Sequence, residues 1–279
     1  MTGGSIMKIK RIALLTLAAI ICFSMFMVSA STKGYVTDGL VGFFDGSNNQ
    51  GNKHDKQSTT WKDLSGTGND ITVKLDDKCK WNDNGYFNDS TRIYLPQALT
   101  DLINSNEFTV EIVLNTFKSK GLHYNPIMNC DNDMFSLFRR IGDEVMQFKN
   151  NGNPRPTSET GVALDYLSER VTLTITYKVG GKSTMYINGE KIDAQNAGVA
   201  VGADKMFFGH DDATRNFSTN YEYLRFYNRE LSADEVSKNY NEDLKASNPT
   251  TGVTTTFFYM AVTLGLAGTA LKGMKKKED

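Results

Sequence analysis

The run Val171-Thr172-Leu173-Thr174-Ile175-Thr176-Tyr177 alternates apolar and hydroxylated side chains without a break. Successive side chains of an extended strand point to opposite faces, so Val171, Leu173, Ile175 and Tyr177 share one face and the threonines the other. A helix would scatter both sets around its circumference. Gly180-Gly181 then turns the chain into Ser183 to Ile187, and Asn188-Gly189 turns it again into Lys191 to Asp193. A two-residue type I′ hairpin needs positive φ at both central positions, which Asn-Gly reaches at least cost. A three-stranded meander is predicted. Phe108, Val110, Ile112 and Leu114 alternate in the same way with Thr109, Glu111 and Asn115, Val113 being the exception. Glu111 is thereby predicted to be an outward polar residue of its strand.

Further strands are predicted at Leu40 to Phe44, Ile71 to Leu75, Gly85 to Phe87, Arg92 to Leu95, Met134 to Phe138, Val145 to Lys149, Lys205 to Gly209 and Tyr221 to Tyr227. Their number and spacing suit two packed antiparallel sheets. One helix is expected after Ser232-Ala233-Asp234-Glu235, where the Ser232 hydroxyl can accept from the N–H three residues on and Glu235 can reach back. Val236, Tyr240 and Leu244 then share a helical face that would pack on the sandwich. The expected fold class is all-β: a jelly-roll-like, two-sheet antiparallel sandwich with one C-terminal helix.

Both ends read differently. Lys8, Lys10 and Arg11 precede an apolar run from Ile12 to Val28, and Val28-Ser29-Ala30 offers a small-residue cleavage site. Residues 1–30 are expected to be a signal peptide; a permanent N-terminal anchor is the alternative reading of that run. Cys22 follows Ile21, where a lipid-bearing cysteine would need a small residue. Cys79 and Cys130 remain in the exported part, and a disulfide or two buried thiols both fit. At the other end Asn248-Pro249-Thr250-Thr251-Gly252 precedes an apolar stretch at 253–271, then Lys272, Lys275, Lys276 and Lys277. That stretch approaches the ~20 residues a membrane-spanning helix needs, and the lysines would stay cytoplasmic. Residues 31–247 are left as one domain.

The C-terminal arrangement resembles the sorting signal of sortase-anchored surface proteins of Gram-positive type, in its Asn-Pro variant. The resemblance implies that a sortase cysteine attacks the Thr251 carbonyl, releases Gly252 onward and passes the chain to peptidoglycan. Membrane retention would precede that step, and the destination would be the cell wall. A single-pass C-terminal anchor is the alternative. The domain between resembles the laminin-G-like members of the concanavalin-A-like lectin and glucanase superfamily. Three segments carry that likeness: Gly39 to Gly46 with the loop Trp61-Lys62-Asp63-Leu64-Ser65-Gly66-Thr67-Gly68-Asn69-Asp70; the hairpin Tyr186-Ile187-Asn188-Gly189; and Tyr223 to Ser232 with Glu235. In the loop, Trp61 is large enough to seal a core, Asp63 can bond backbone N–H groups, and Gly66 and Gly68 permit conformations closed to other residues.

A retaining glycosidase needs two carboxyl groups about 5 Å apart, and no strand offers acids at alternate positions: Glu111 is followed by Val113 and Asn115. The three histidines, His54, His123 and His210, lie beside no nucleophile elbow, and one cysteine pair lacks the ligands for zinc. A net charge of −1 without a basic stripe gives nucleic acid no footing. Calcium is the metal considered, on Asp131 and Asp133 and on Asp211 and Asp212, as hard oxygen ligands in loops. Sugar binding calls for aromatic faces beside planar polar groups, and the candidates are Trp81, Tyr86, His123, Tyr124, His210 and Arg215. The sequence therefore suggests a noncatalytic surface module that recognises carbohydrate or a glycosylated surface. A protein-binding adhesin or spacer is the alternative, followed by a polysaccharide hydrolase.

Overall fold

The computed structural model describes residues 34–247, so the expected leader (1–30), the pentapeptide 248–252 and the apolar stretch 253–271 lie outside the described residues. Among the described residues no helix is long and apolar enough to cross a membrane.

Two antiparallel sheets carry the chain. The larger runs β13 (Glu190–Asn196), β12 (Lys182–Ile187), β11 (Val171–Lys178), β7 (Glu107–Ser119), β15 (Phe217–Tyr227), β5 (Tyr86–Asp89), β4 (Cys79–Trp81), with β1 (Leu40–Asp45) also paired to β15. The smaller runs β10 (Val145–Asn150), β9 (Phe135–Arg140), β8 (Tyr124–Cys130), β14 (Met206–Phe208), β6 (Ile93–Tyr94). A ribbon of β2 (Thr60–Trp61) and β3 (Ile71–Thr72) adds Trp61 and Ile71 to the core. The predicted alternation is realised: Phe108, Val110, Ile112 and Leu114 of β7 and the apolar face of β11 meet Phe135, Leu137, Met146 and Phe148 of the smaller sheet. The Asn188-Gly189 hairpin takes positive φ at both residues, 52° and 78°.

The loop after β2 behaves as its residues dictate. Asp63 accepts from the N–H groups of Phe43, Ser65 and Asn69 at 2.9–3.0 Å. Burial pushes its carboxyl up, but these donors outweigh burial and hold it below its ordinary value. Gly66 and Gly68 take φ of +91° and +81°.

Strands β2, β4 and β8 and two short helices escape the sequence pattern. Strand β8 reads Tyr-Asn-Pro-Ile-Met-Asn-Cys, with no alternation and a proline, and its register against β9 breaks between Pro126 and Met128. Two short helices, α1 (Gln97–Ile103) and α2 (Val162–Leu167), are too brief to show a period. The thiols of Cys79 and Cys130 are free and buried, one in each sheet.

The expected helix, α3 (Ala233–Ser247), forms with the capping box closed. Ser232 N–H donates to Glu235 Oε2 at 2.9 Å and Glu235 N–H to Ser232 Oγ at 3.3 Å. Its docking face is not the one the apolar residues mark. Val236 is buried and Leu244 is 39% exposed, whereas Asn239 and Asp243 are fully buried. The reason lies on the sheet beneath. Glu111 does point outward from the core, as predicted, but it is covered rather than solvated. Arg225, its cross-strand partner, donates Nε to Glu111 Oε2 at 2.7 Å and both Nη to Asp243 at 2.8 and 2.7 Å. Asn239 Nδ2 adds a bond to Glu111 at 2.7 Å, and Tyr35 OH reaches Asp243 at 2.9 Å. Burial raises the Glu111 carboxyl while Arg225 opposes it. Val113, the break in the alternation, is fully buried on this same covered face.

Removing one partner of a buried pair strands a charge, at a cost of about 3–5 kcal/mol. Arg225→Ala is expected to lower unfolding free energy in urea by about that much, and the triple replacement Glu111→Leu, Arg225→Met, Asp243→Leu by far less.

Candidate functional site

With the outer face of the larger sheet closed by α3 and the N-terminal segment, the outer face of the smaller sheet is the other candidate: Ser136, Phe138 and Gln147 at its middle are nearly buried, and Tyr124, Arg140, Lys149 and Arg155 around them are accessible. Period two decides which side chains it presents. Ser136, Phe138 and Arg140 alternate outward along β9, and Gln147 and Lys149 along β10. Cross-strand register sets Lys149 beside Ser136, Gln147 beside Phe138, and Tyr124 of β8 beside Arg140. Together with Asp133 and Arg155 these residues line a hollow of about 300 Å³.

Tyr124 and Phe138 supply its aromatic wall, their ring centroids 5.5 Å apart. The Arg215 guanidinium lies 4.6 Å over the Tyr124 ring, a cation–π contact that braces the ring while leaving it half-buried. Burial lifts the Tyr124 phenol above its ordinary range, keeping it neutral. Around the rings stand polar groups with defined partners. Lys149 Nζ meets Asp133 at 2.6 Å, Arg140 pairs with Asp143, and Gln147 Nε2 donates to Thr157 Oγ1 at 2.9 Å. Such a site offers a flat apolar face and fixed donors and acceptors to a polyhydroxylated ligand.

A second hollow, about 480 Å³, lies beside the end of α3 and is lined by Asn115, Arg170, Glu222 and Tyr223 among others. Its Arg170 and Glu222 neutralise each other at 2.5 Å, and Tyr223 is stacked on Phe43. It presents no free aromatic face.

Of the residues expected to bind sugar, the structure brings Tyr124 and Arg215 together. His123 is exposed in the loop before β8, its carbonyl accepting from Ile141 N–H, and is not among the residues that line the hollow. The other three are corrected. Trp81 is 3% exposed, packed edge-on to Trp61 at 5.2 Å with Nε1 bonded to Ser58 O, and Tyr86 is fully buried with its hydroxyl on Lys74 O. His210 is 2% exposed against Phe207. Trp81 and Tyr86 are core, because aromatics on short strands point inward as readily as outward, and His210 is buried in the loop after β14. Ser136, Phe138, Arg140, Gln147, Lys149 and Arg155 were missed. Alternation in the predicted strands from Met134 and Val145 could have exposed most of them, but the neighbouring β8 was not visible.

The four aspartates considered for calcium each have partners within the protein. Asp211 holds Arg92 Nε at 2.6 Å, Asp131 accepts from Arg92 and Tyr94, Asp133 holds Lys149, and Asp212 accepts from Thr214. Among the described residues no three His, Cys, Asp or Glu side chains converge as a metal site needs.

The family model described as Concanavalin A-like lectin/glucanases superfamily, Laminin_G_3, matches residues 87–237, more than half of the chain. The chain belongs to this family. The match covers the hairpin at Asn188 and the final strand; the opening segment Gly39 to Gly46 and the Trp61 loop lie before it. Botulinum neurotoxin type E of Clostridium butyricum is 25% identical over 171 residues, 59% of this chain and 13% of the neurotoxin, so the chain spans only a small part of that relative. Solved structures share the fold. The binding domain of botulinum neurotoxin DC in complex with SialylT superposes with a TM-score of 0.56 at 14% identity, over 74% of this chain and 52% of that one. The sialidase of Trypanosoma rangeli superposes with a TM-score of 0.53 at 14% identity, over 72% and 32%.

His210 yields a pH prediction. Burial, then the Arg92 and Arg215 guanidiniums, push its imidazole down to about 4 from 6.5, and its Nδ1 accepts from Asp212 N–H at 3.1 Å, which only an unprotonated nitrogen can do. The unfolded ring takes a proton first, so this contribution to stability is full above pH 6.5 and is lost as pH falls through about 4. Urea midpoints compared at about pH 7 and about pH 5 should fall more for the wild type than for His210→Gln; equal falls would contradict this assignment.

Proposed function

We propose that this chain is a noncatalytic carbohydrate-binding module displayed at the cell surface, with its glycan seated against Tyr124 and the edge of Phe138 in the hollow on the outer face of the smaller sheet. The observation that carries the reading is the half-exposed Tyr124 ring, braced by Arg215 at 4.6 Å and opening onto a hollow edged by fixed polar groups. Stacking on the ring and hydrogen bonds to the rim are the two interactions a sugar ring can satisfy at once. SialylT and gangliosides, the ligands named for the neurotoxin structures of the same fold, are consistent with this class.

A protein ligand is the second reading, favoured by one neurotoxin binding domain solved with rat synaptotagmin II. Hydrolysis finds less support despite the sialidase neighbours. Asp133 is the single carboxylate lining the hollow and is tied to Lys149, and Glu111 lies on the covered face of the other sheet. Two facing carboxyl groups are what that chemistry requires.

For placement, Asn248 follows directly on the last residue of α3. Sortase transfer through Thr251 to peptidoglycan would hold the module at the wall, after export by the leader 1–30. Thr251→Ala is expected to leave the protein detergent-extractable; a variant still covalently bound to purified peptidoglycan would refute that route.

Glycan-array binding by the full chain, in neutral detergent, tests the module. A narrow set of hits is expected, with Tyr124→Ala weakening each about tenfold, the scale of a lost aromatic contact of ~1.5 kcal/mol. A blank array from folded protein would favour the protein ligand.

A further inference from the structure

Charge around the hollow is one-sided. Arg140, Lys149 and Arg155 line it against the lone carboxylate of Asp133, and Arg215 flanks the Tyr124 ring. Partners separate these cations. Arg140 is paired with Asp143 and Lys149 with Asp133. Arg155 makes no ion pair among the described residues; its Nη1 donates to Gln147 Oε1 at 3.4 Å. Gln147 is itself oriented, because its Nε2 donates to Thr157 Oγ1 and the Thr157 N–H is held by Asp193 at 3.0 Å. The exposed guanidinium is thus set at the rim of the hollow with most of its donors uncommitted. A guanidinium fork matches a carboxylate in two parallel hydrogen bonds, and a neutral hydroxyl cannot use that geometry.

We infer that the glycan is acidic, carrying one carboxylate on the sugar that enters the hollow, and that Arg155 selects it. This rests on the carbohydrate reading above and deepens it. Sialic and uronic acids share the required chemistry: a ring face for Tyr124 and a carboxylate for Arg155. Arg155 stands outside the sandwich core, so its replacement spares the fold.

Calorimetric titration of the full chain with sialyllactose, trigalacturonate, lactose and sulfated lactose tests the assignment. Either carboxylated probe is expected to bind at least tenfold more tightly than lactose. Arg155→Gln should abolish the preference of that probe over lactose, and Arg155→Lys should restore only part of it because the ammonium lacks the fork. Equal affinity for lactose and both carboxylated probes, a preference for sulfated lactose, or an undiminished preference in Arg155→Gln would overturn the inference while leaving the carbohydrate reading in place. Failure of all four sugars to bind folded protein would overturn both.

Discussion

Arg225 sits between Glu111 and Asp243 with no exposed surface, and the architecture of the outer layer depends on that triad. A guanidinium so placed must be satisfied on every side or it costs several kcal/mol. The sheet supplies one carboxylate through cross-strand register, the helix supplies the other from its last turns, and Asn239 closes the remaining gap. The same helix holds the N-terminal segment, whose Tyr35 bonds Asp243 and whose Val36 N–H bonds Asn239. Specificity of docking therefore comes from polar groups, with a small apolar cluster of Val36, Tyr186, Tyr227, Leu231 and Val236 beside them.

That closure has a functional consequence. The outward threonines of β11, Val113 and Glu111 are all buried, so the larger sheet has no free central face. On the outer face of the smaller sheet Ser136, Phe138 and Gln147 are nearly buried too, but they floor a hollow edged by the accessible Tyr124, Arg140, Lys149 and Arg155. Tyr94, 46% exposed beside Phe207 and Arg92, extends the aromatic character beyond the hollow.

Much of this was legible beforehand. Alternation in β7 and β11, the Asn188-Gly189 turn and the Ser232 capping box each follow from local chemistry, and each forms as expected. The family likeness likewise pointed to the right fold. What local pattern could not reveal was which face of each strand would be covered. Thr172, Thr174 and Thr176 look solvated in sequence, yet they lie under other elements. Leu244 marks an apolar helical face, yet Asn239 and Asp243 form the buried one. Trp81 and Tyr86 could not be told from exposed aromatics without their partners Trp61 and Ser58. The site suffered most, because Tyr124 belongs to β8, a strand hidden by Pro126, and without β8 nothing linked it to Phe138 and Gln147.

The central claim is that ligand recognition occurs in the hollow on the outer face of the smaller sheet. Amide chemical-shift mapping by NMR, with a glycan that binds the chain, addresses it most directly. Shifts confined to β8, β9, β10 and the segment around Arg155 and Arg215 are predicted. Shifts centred instead on α3 and the hollow at Arg170 and Glu222, or on the Trp61 loop, would contradict the account.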